Sequence, residues 1–221
     1  MAEDDASVSN LFKEIDDDLR QDKATLLWKK YGNTFIGAIL AVIIAVAAFE
    51  GWKTYDLNQR SELGEKYAAA LDLSRQDNFD SASKAFLDLA GEAGGGYAVL
   101  SRLQEAGLLA RQGKSAEAAN AYFLLSQNDG IDSIYRDMAI VLGALNGLDV
   151  LDAGEILRRL QPLIGGTNPW RHSATEISAF AESKAGNKQK AAELMKSLAD
   201  DATAPPGVRQ RAQEFAKAYL S

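Results

Sequence analysis

The sequence predicts an all-helical protein: one apolar N-terminal helix long enough to cross a membrane, then a solenoid of stacked helix pairs closed by a single C-terminal helix. Three observations carry that prediction. The stretch Phe35–Phe49 is uncharged and apolar. Beyond it, a small residue, a bulky residue four positions on and a leucine three further recur four times at near-constant spacing. Throughout the 221 residues, alanine sits among Leu, Glu, Gln, Lys and Arg, with only four prolines, a mixture that favours helix.

The first 31 residues carry eight acids and five bases. Leu11, Phe12, Ile15 and Leu19 recur at helical spacing, with Asp16-Asp17-Asp18 on the other side. They predict a short amphipathic helix over Asn10–Lys23, in an N-terminal segment 1–31.

The apolar stretch comes next. Nine residues of Phe35–Phe49 are Phe, Ile, Leu or Val, and the other six are five Ala and Gly37. Gly32-Asn33-Thr34 before it and Gly51-Trp52 after it extend it to Gly32–Trp52, with Glu50 as its one charge, near enough to the end to reach the interface. The span is about 31 Å as a helix, against a hydrocarbon thickness of ~30 Å. The nine strong residues favour insertion by about 4 kcal/mol. Trp28, Tyr31, Trp52 and Tyr55 bracket it as interfacial aromatics do. Ala45-Val46-Ala47 resembles a cleavage site, but the preceding segment is too long and too acidic for a signal peptide, so an uncleaved anchor over 32–52 is expected. Arg20, Lys23, Lys29 and Lys30 precede it, and Lys53, Arg60 and Lys66 follow. The abutting Lys29-Lys30 pair predicts the N-terminus inside and residues 53–221 outside. Gly37, Ala41 and Ala45 share one face of this helix and form a candidate contact surface for another membrane helix.

The repeated sets are Ala82/Phe86/Leu89, Ala118/Tyr122/Leu125, Ala153/Leu157/Leu160 and Ala191/Met195/Leu198, offset by 36, 35 and 38 residues. Ala-x3-Phe is the second-helix signature of the tetratricopeptide unit: the small residue lets two helices approach, and the bulky one fills the gap. Twelve positions upstream lies the small first-helix residue, Ala70, Ala106 and Ala179, from which Val141 of the third unit departs. Turns are expected at Gln76-Asp77-Asn78, Gln112-Gly113-Lys114, Asn146-Gly147 and Gly186-Asn187. Gly94-Gly95-Gly96 and Gly165–Pro169 separate units, with Pro169 suited to a helix start. After Pro205-Pro206, a helix Gly207–Leu220 serves as the cap that a solenoid end requires.

Several chemistries are excluded. With no cysteine there is no disulfide, thiol nucleophile or lipoprotein anchor. A net charge of −7 opposes nucleic-acid binding. His172 is the only histidine; Ser173 beside it on a helix does not face it, so neither catalysis nor a metal site is expected. Gly113-Lys114-Ser115 ends like a phosphate loop, but the required upstream glycine is Leu108. No cofactor, small-molecule substrate or enzymatic activity is expected.

If the register holds, the first helices form a row that presents Tyr67 and Leu71, Leu103 and Gly107, Met138 and Leu142, Glu176 and Phe180, edged by Arg75, Arg111 and Lys184. An apolar trough with cationic edges suits an amphipathic helix or unfolded segment as partner.

The strings Trp28-Lys29-Lys30-Tyr31-Gly32-Asn33 and Gly51-Trp52-Lys53-Thr54-Tyr55 around the apolar span resemble the ancillary SecYEG translocon subunit family (YfgM-like). So does the stretch from Tyr97-Ala98-Val99-Leu100 through Ala106 to Lys114–Ala119. Leu11–Asp16 is similar to the start of tetratricopeptide proteins from alphaproteobacteria. The resemblance implies a bacterial inner-membrane protein, N-terminus cytoplasmic and repeat domain periplasmic, linking the SecYEG translocon to periplasmic chaperones or emerging client chains. The alternative is an envelope scaffold for division or cytochrome-maturation complexes.

Overall fold

A computed structural model describes residues 2–220, with side chains described for 25–219. Among the described residues the chain folds into nine α-helices and one 3-10 turn, with no strand. Helix α1 covers Ala2–Arg75. The amphipathic segment, the apolar stretch and the first repeat helix thus run as one helix rather than three: no proline and no left-handed residue interrupts them. The amphipathic face expected over Asn10–Lys23 lies outside the described side chains. Contacts divide the chain into two compact units, residues 1–60 and 61–221.

In the first unit, the side chains from Trp28 to Leu57 stand exposed almost without exception, including Phe35, Ile44, Phe49 and Trp52. One α-helix within Thr25–Arg75 is long and apolar enough to cross a membrane.

The second unit is built of helix pairs. The end of α1 pairs with α2 (Phe79–Glu92), α3 (Gly95–Arg111) with α4 (Ser115–Ser126), α5 (Ser133–Gly147) with α6 (Ala153–Leu160), and α7 (Arg171–Lys184) with α8 (Lys188–Asp200). Helix α9 (Pro206–Leu220) packs on α8 and α7. The repeat register is visible in what is buried. Ala82, Phe86 and Leu89 are buried, as are Ala118, Tyr122 and Leu125, and Ala191, Met195 and Leu198. The first-helix residues Ala70, Ala106, Val141 and Ala179 are buried against them.

Three of the four hairpins turn the same way. Asp77, Gly113 and Gly186 take φ of 56°, 76° and 86°, and the next residue's N–H reaches back five positions: Asn78 to the Leu73 carbonyl at 3.0 Å, Lys114 to Leu109 at 2.9 Å, Asn187 to Glu182 at 2.8 Å. This is the left-handed helix ending for which glycine is suited, closing otherwise orphaned carbonyls. At Asp77 the non-glycine is held by Arg111, whose Nη2 lies 3.2 Å from its Oδ1.

The third pair departs from the expected register. Helix α5 continues through Asn146-Gly147, and the turn falls at Leu148–Asp152, where Asp152 Oδ1 caps α6 by accepting from Glu155 N at 3.1 Å. Ile156, Leu160 and Leu163 are buried in place of Ala153 and Leu157, which are only partly covered. Pro162 then turns the chain into a 3-10 segment, Gln161–Leu163. Helix α7 starts at Arg171, not at Pro169. Asn168 makes the preceding turn, accepting from Trp170 N at 2.8 Å, while Trp170 Nε1 donates to the Ile134 carbonyl at 3.1 Å. The close approach of α4 and α5 is made by glycine: a Cβ on Gly143 would meet the Phe123 ring at 2.7 Å and the Ala119 carbonyl at 3.1 Å.

Candidate protein-interaction surface

Of the eleven expected row and edge residues, carried on successive first helices, Glu176 is buried and the other ten are partly or largely exposed. They are nonetheless engaged to different degrees. Tyr67 and Leu71 pack on the core of Ala70, Ala82, Phe86 and Leu108, with the Tyr67 ring 5.5 Å from that of Phe86 and 5.9 Å from that of Tyr97. Leu103 lies against Val99, Leu125, Ile131 and Ala139. Arg75 pairs with Asp72 at 2.8 Å. Arg111 donates to Ser74 Oγ at 2.9 Å and lies over the Phe79 ring at 4.7 Å, so it braces the first hairpin as well as edging the row. Met138 and Leu142 are half-buried on α5. Gly107 sits under the Tyr122 hydroxyl and belongs to a helix contact.

Phe180 and Lys184 come together in a recess. With Leu145, Leu148, Asp149, Ser183 and Tyr219 they line a cleft of about 520 Å³, formed by the ends of α5, α7 and α9. The Lys184 ammonium caps α5 by donating to the Leu148 carbonyl.

At the fourth unit, α9 covers the row. Arg211 Nε and Nη2 donate to the two Glu176 carboxylate oxygens at 2.8 and 2.9 Å, and Phe215 meets Phe180 edge-on at 5.0 Å. Glu176 is therefore part of the cap interface rather than an open position. A sequence signal for this existed: Arg211 follows Glu176 by 35 residues, one repeat period, which makes α9 a fifth first helix.

His172 contacts the cap linker. Its Nε2 lies 2.9 Å from Asp201 Oδ2. Asp201 also accepts from the Thr203 hydroxyl and backbone N–H, and these bonds, with His172, hold its carboxyl well below the usual carboxylate range. Arg171 donates to Thr203 Oγ1 at 2.7 Å, completing a polar clasp between α7 and the linker to α9.

The face Gly37, Ala41 and Ala45 is exposed along α1, and nothing lies within 4 Å of a Cβ placed on Gly37.

The tetratricopeptide repeat-like domain family matches residues 26–141. The chain belongs to that family. No curated protein matches it. The match begins within α1, takes in the first two helix pairs and ends in α5. As a tetratricopeptide repeat-like chain, the protein is a protein-interaction module with an all-helical repeat architecture and an N-terminal helix apolar enough to span a membrane.

Proposed function

We propose that the protein is a single-pass bacterial inner-membrane protein that gathers partner proteins at the SecYEG translocon. Residues 1–31 are cytoplasmic, 32–52 span the membrane, and 53–221 form a periplasmic repeat domain that links the channel to chaperones or to emerging client chains. The observation that carries this reading is one chain holding both an exposed apolar helix and a protein-binding repeat. The first-helix row, from Tyr67 and Leu71 through Leu103, Met138 and Leu142 to Phe180, receives the partner, and Gly37, Ala41 and Ala45 contact a membrane helix. The likeness of the Trp28–Asn33 and Gly51–Tyr55 strings to the ancillary translocon subunits supports the Sec assignment.

Crosslinking from a photoreactive residue at position 145, in the cleft shared by α5, α7 and α9, tests it in intact membranes. SecY or a periplasmic chaperone is the expected product. Division or haem-ligation proteins in its place would overturn the assignment in favour of an envelope scaffold. A periplasm-dependent reporter fused after Ser221 should be active; activity only in its cytoplasm-dependent counterpart overturns the orientation.

A further inference from the structure

A second recess lies on a different stripe of α3 from the one that joins the first-helix row. Arg102 and Glu105 of α3 form its floor, Leu87 of α2 one wall, and Ala121, Leu124 and Leu125 of α4 the other, enclosing about 540 Å³ with Gln127 and Asn128 at one end. Leu87 also lines a second hollow of about 300 Å³ with Asp88, Leu109, Gln112 and Lys114, so the two share a wall. Arg102, Glu105 and Leu109 follow one another along α3 at three- and four-residue steps, and Gln112 at its C-terminal cap continues the series. The floor is then about 15 Å long, room for roughly three turns of a helix laid along it.

Two features of the furrow call for a partner. Its walls keep large apolar side chains in water: Leu124 is 66% exposed and Leu87 49%. Its floor carries a half-buried carboxyl, Glu105, which accepts no hydrogen bond and forms no ion pair among the described residues. Burial pushes that carboxyl upward, against the partial relief given by Arg102 one turn back. A charge withdrawn from water without a partner is costly, and a cation supplied from outside meets that cost.

We propose that the furrow between α2 and α4 docks an amphipathic helix that sets leucine-type side chains against Leu87 and Leu124 and a lysine or arginine on Glu105. The complement is apolar residues and a cation on one face of a helix, matching the Leu87 and Leu124 walls and the Glu105 floor. This surface is separate from the first-helix row and does not depend on the Sec assignment.

The test uses the full chain in lipid nanodiscs. The probe is a fluorescent alanine-based helix of about 15 residues, ~22 Å long, with two leucines and one lysine on one face. A second probe has glutamine in place of the lysine. The lysine probe should bind about tenfold more tightly than the glutamine probe, as one charge-assisted pair implies. Glu105→Gln should erase that preference, and Glu105→Lys should invert it towards a glutamate-bearing probe. Leu124→Ser should weaken both probes; its exposure leaves the fold intact, and Leu87→Ser provides the independent second variant. Equal affinity for the two probes on the unaltered chain, or a preference untouched by Glu105→Gln, would overturn the proposal. So would a fall in sedimenting mass on Leu124→Ser, which would show the furrow filled by a second copy of the chain.

Discussion

Phe86 has no exposure and packs in one core with Ala70, Ala82 and Leu108 of α1, α2 and α3. Truncation to alanine removes a fully buried ring, at a cost of about 3–5 kcal/mol. Phe86→Ala should lower the melting temperature of the full chain strongly; a shift within about a degree would refute the register. The glycines give a contrast of sign. Gly143→Ala adds a Cβ 2.7 Å from the Phe123 ring and 3.1 Å from a backbone oxygen. Overpacking of this kind costs about 1–3 kcal/mol, more than the ~1 kcal/mol that alanine gains in a helix. Gly91, on the open side of α2, has nothing within 4 Å of a Cβ. Gly91→Ala should stabilise by up to ~1 kcal/mol. Chemical denaturation of the two variants checks both signs, and equal shifts would show that the α4–α5 contact is looser than described.

The cap helix is attached by polar bonds as well as by an apolar core. Arg211→Met leaves the buried Glu176 carboxylate without its two donors, a loss of about 1–3 kcal/mol, kept towards the lower end because Arg211 is half-exposed. The expected result is faster amide exchange in α9 than in α5, with the α1–α3 core unchanged; uniform acceleration would contradict a locally attached cap. The Asp201 clasp adds a pH dependence. Its carboxyl titrates lower in the folded chain than in the unfolded one. The stabilisation is therefore complete above the ordinary carboxylate value, ~3.9, and is lost as pH falls below it towards the folded value. The melting-temperature gap between the unaltered chain and Asp201→Asn should be present at about pH 5 and narrow below ~4. A gap independent of pH down to ~2.5 would show that the carboxylate charge contributes nothing there.

At the scale of the molecule, the repeat unit is a chain of cores. One cluster joins α1–α3, a second α3–α5, the largest α4–α7 and the last α7–α9, so each core meets only its neighbours. Stability in such an array is nearly a sum of local terms. Exchange of the full chain should be slowest in α5 and α7, which share the largest core; slowest exchange in α9 would contradict that order. Much of this was legible in the amino-acid order. Alanine, bulky residue and leucine at a steady period placed four of five first helices and three of four second helices, because a small residue at a helix crossing admits few alternatives. The third pair was misread: Ile156 and Leu160 lie one turn apart like Leu157 and Leu160, and spacing alone does not tell which the neighbouring helices cover. The furrow over Glu105 was not legible, since its floor and walls come from three helices and exposed leucines carry no periodic mark. The covering of Glu176 was missed because a charged residue at a row position reads as solvated until its partner one period later is recognised.

The clasp of Arg211 on Glu176, with Phe215 on Phe180, has a consequence for synthesis. The ribosome delivers α7 and α8 before α9, and until the last fifteen helical residues arrive the fourth pair presents Phe180, Met195 and Leu198 beside an uncompensated carboxylate. An adhesive, apolar end of this kind is what holdases and proteases select. Docking of α9 covers that end, so α9 shields the fourth pair from such factors.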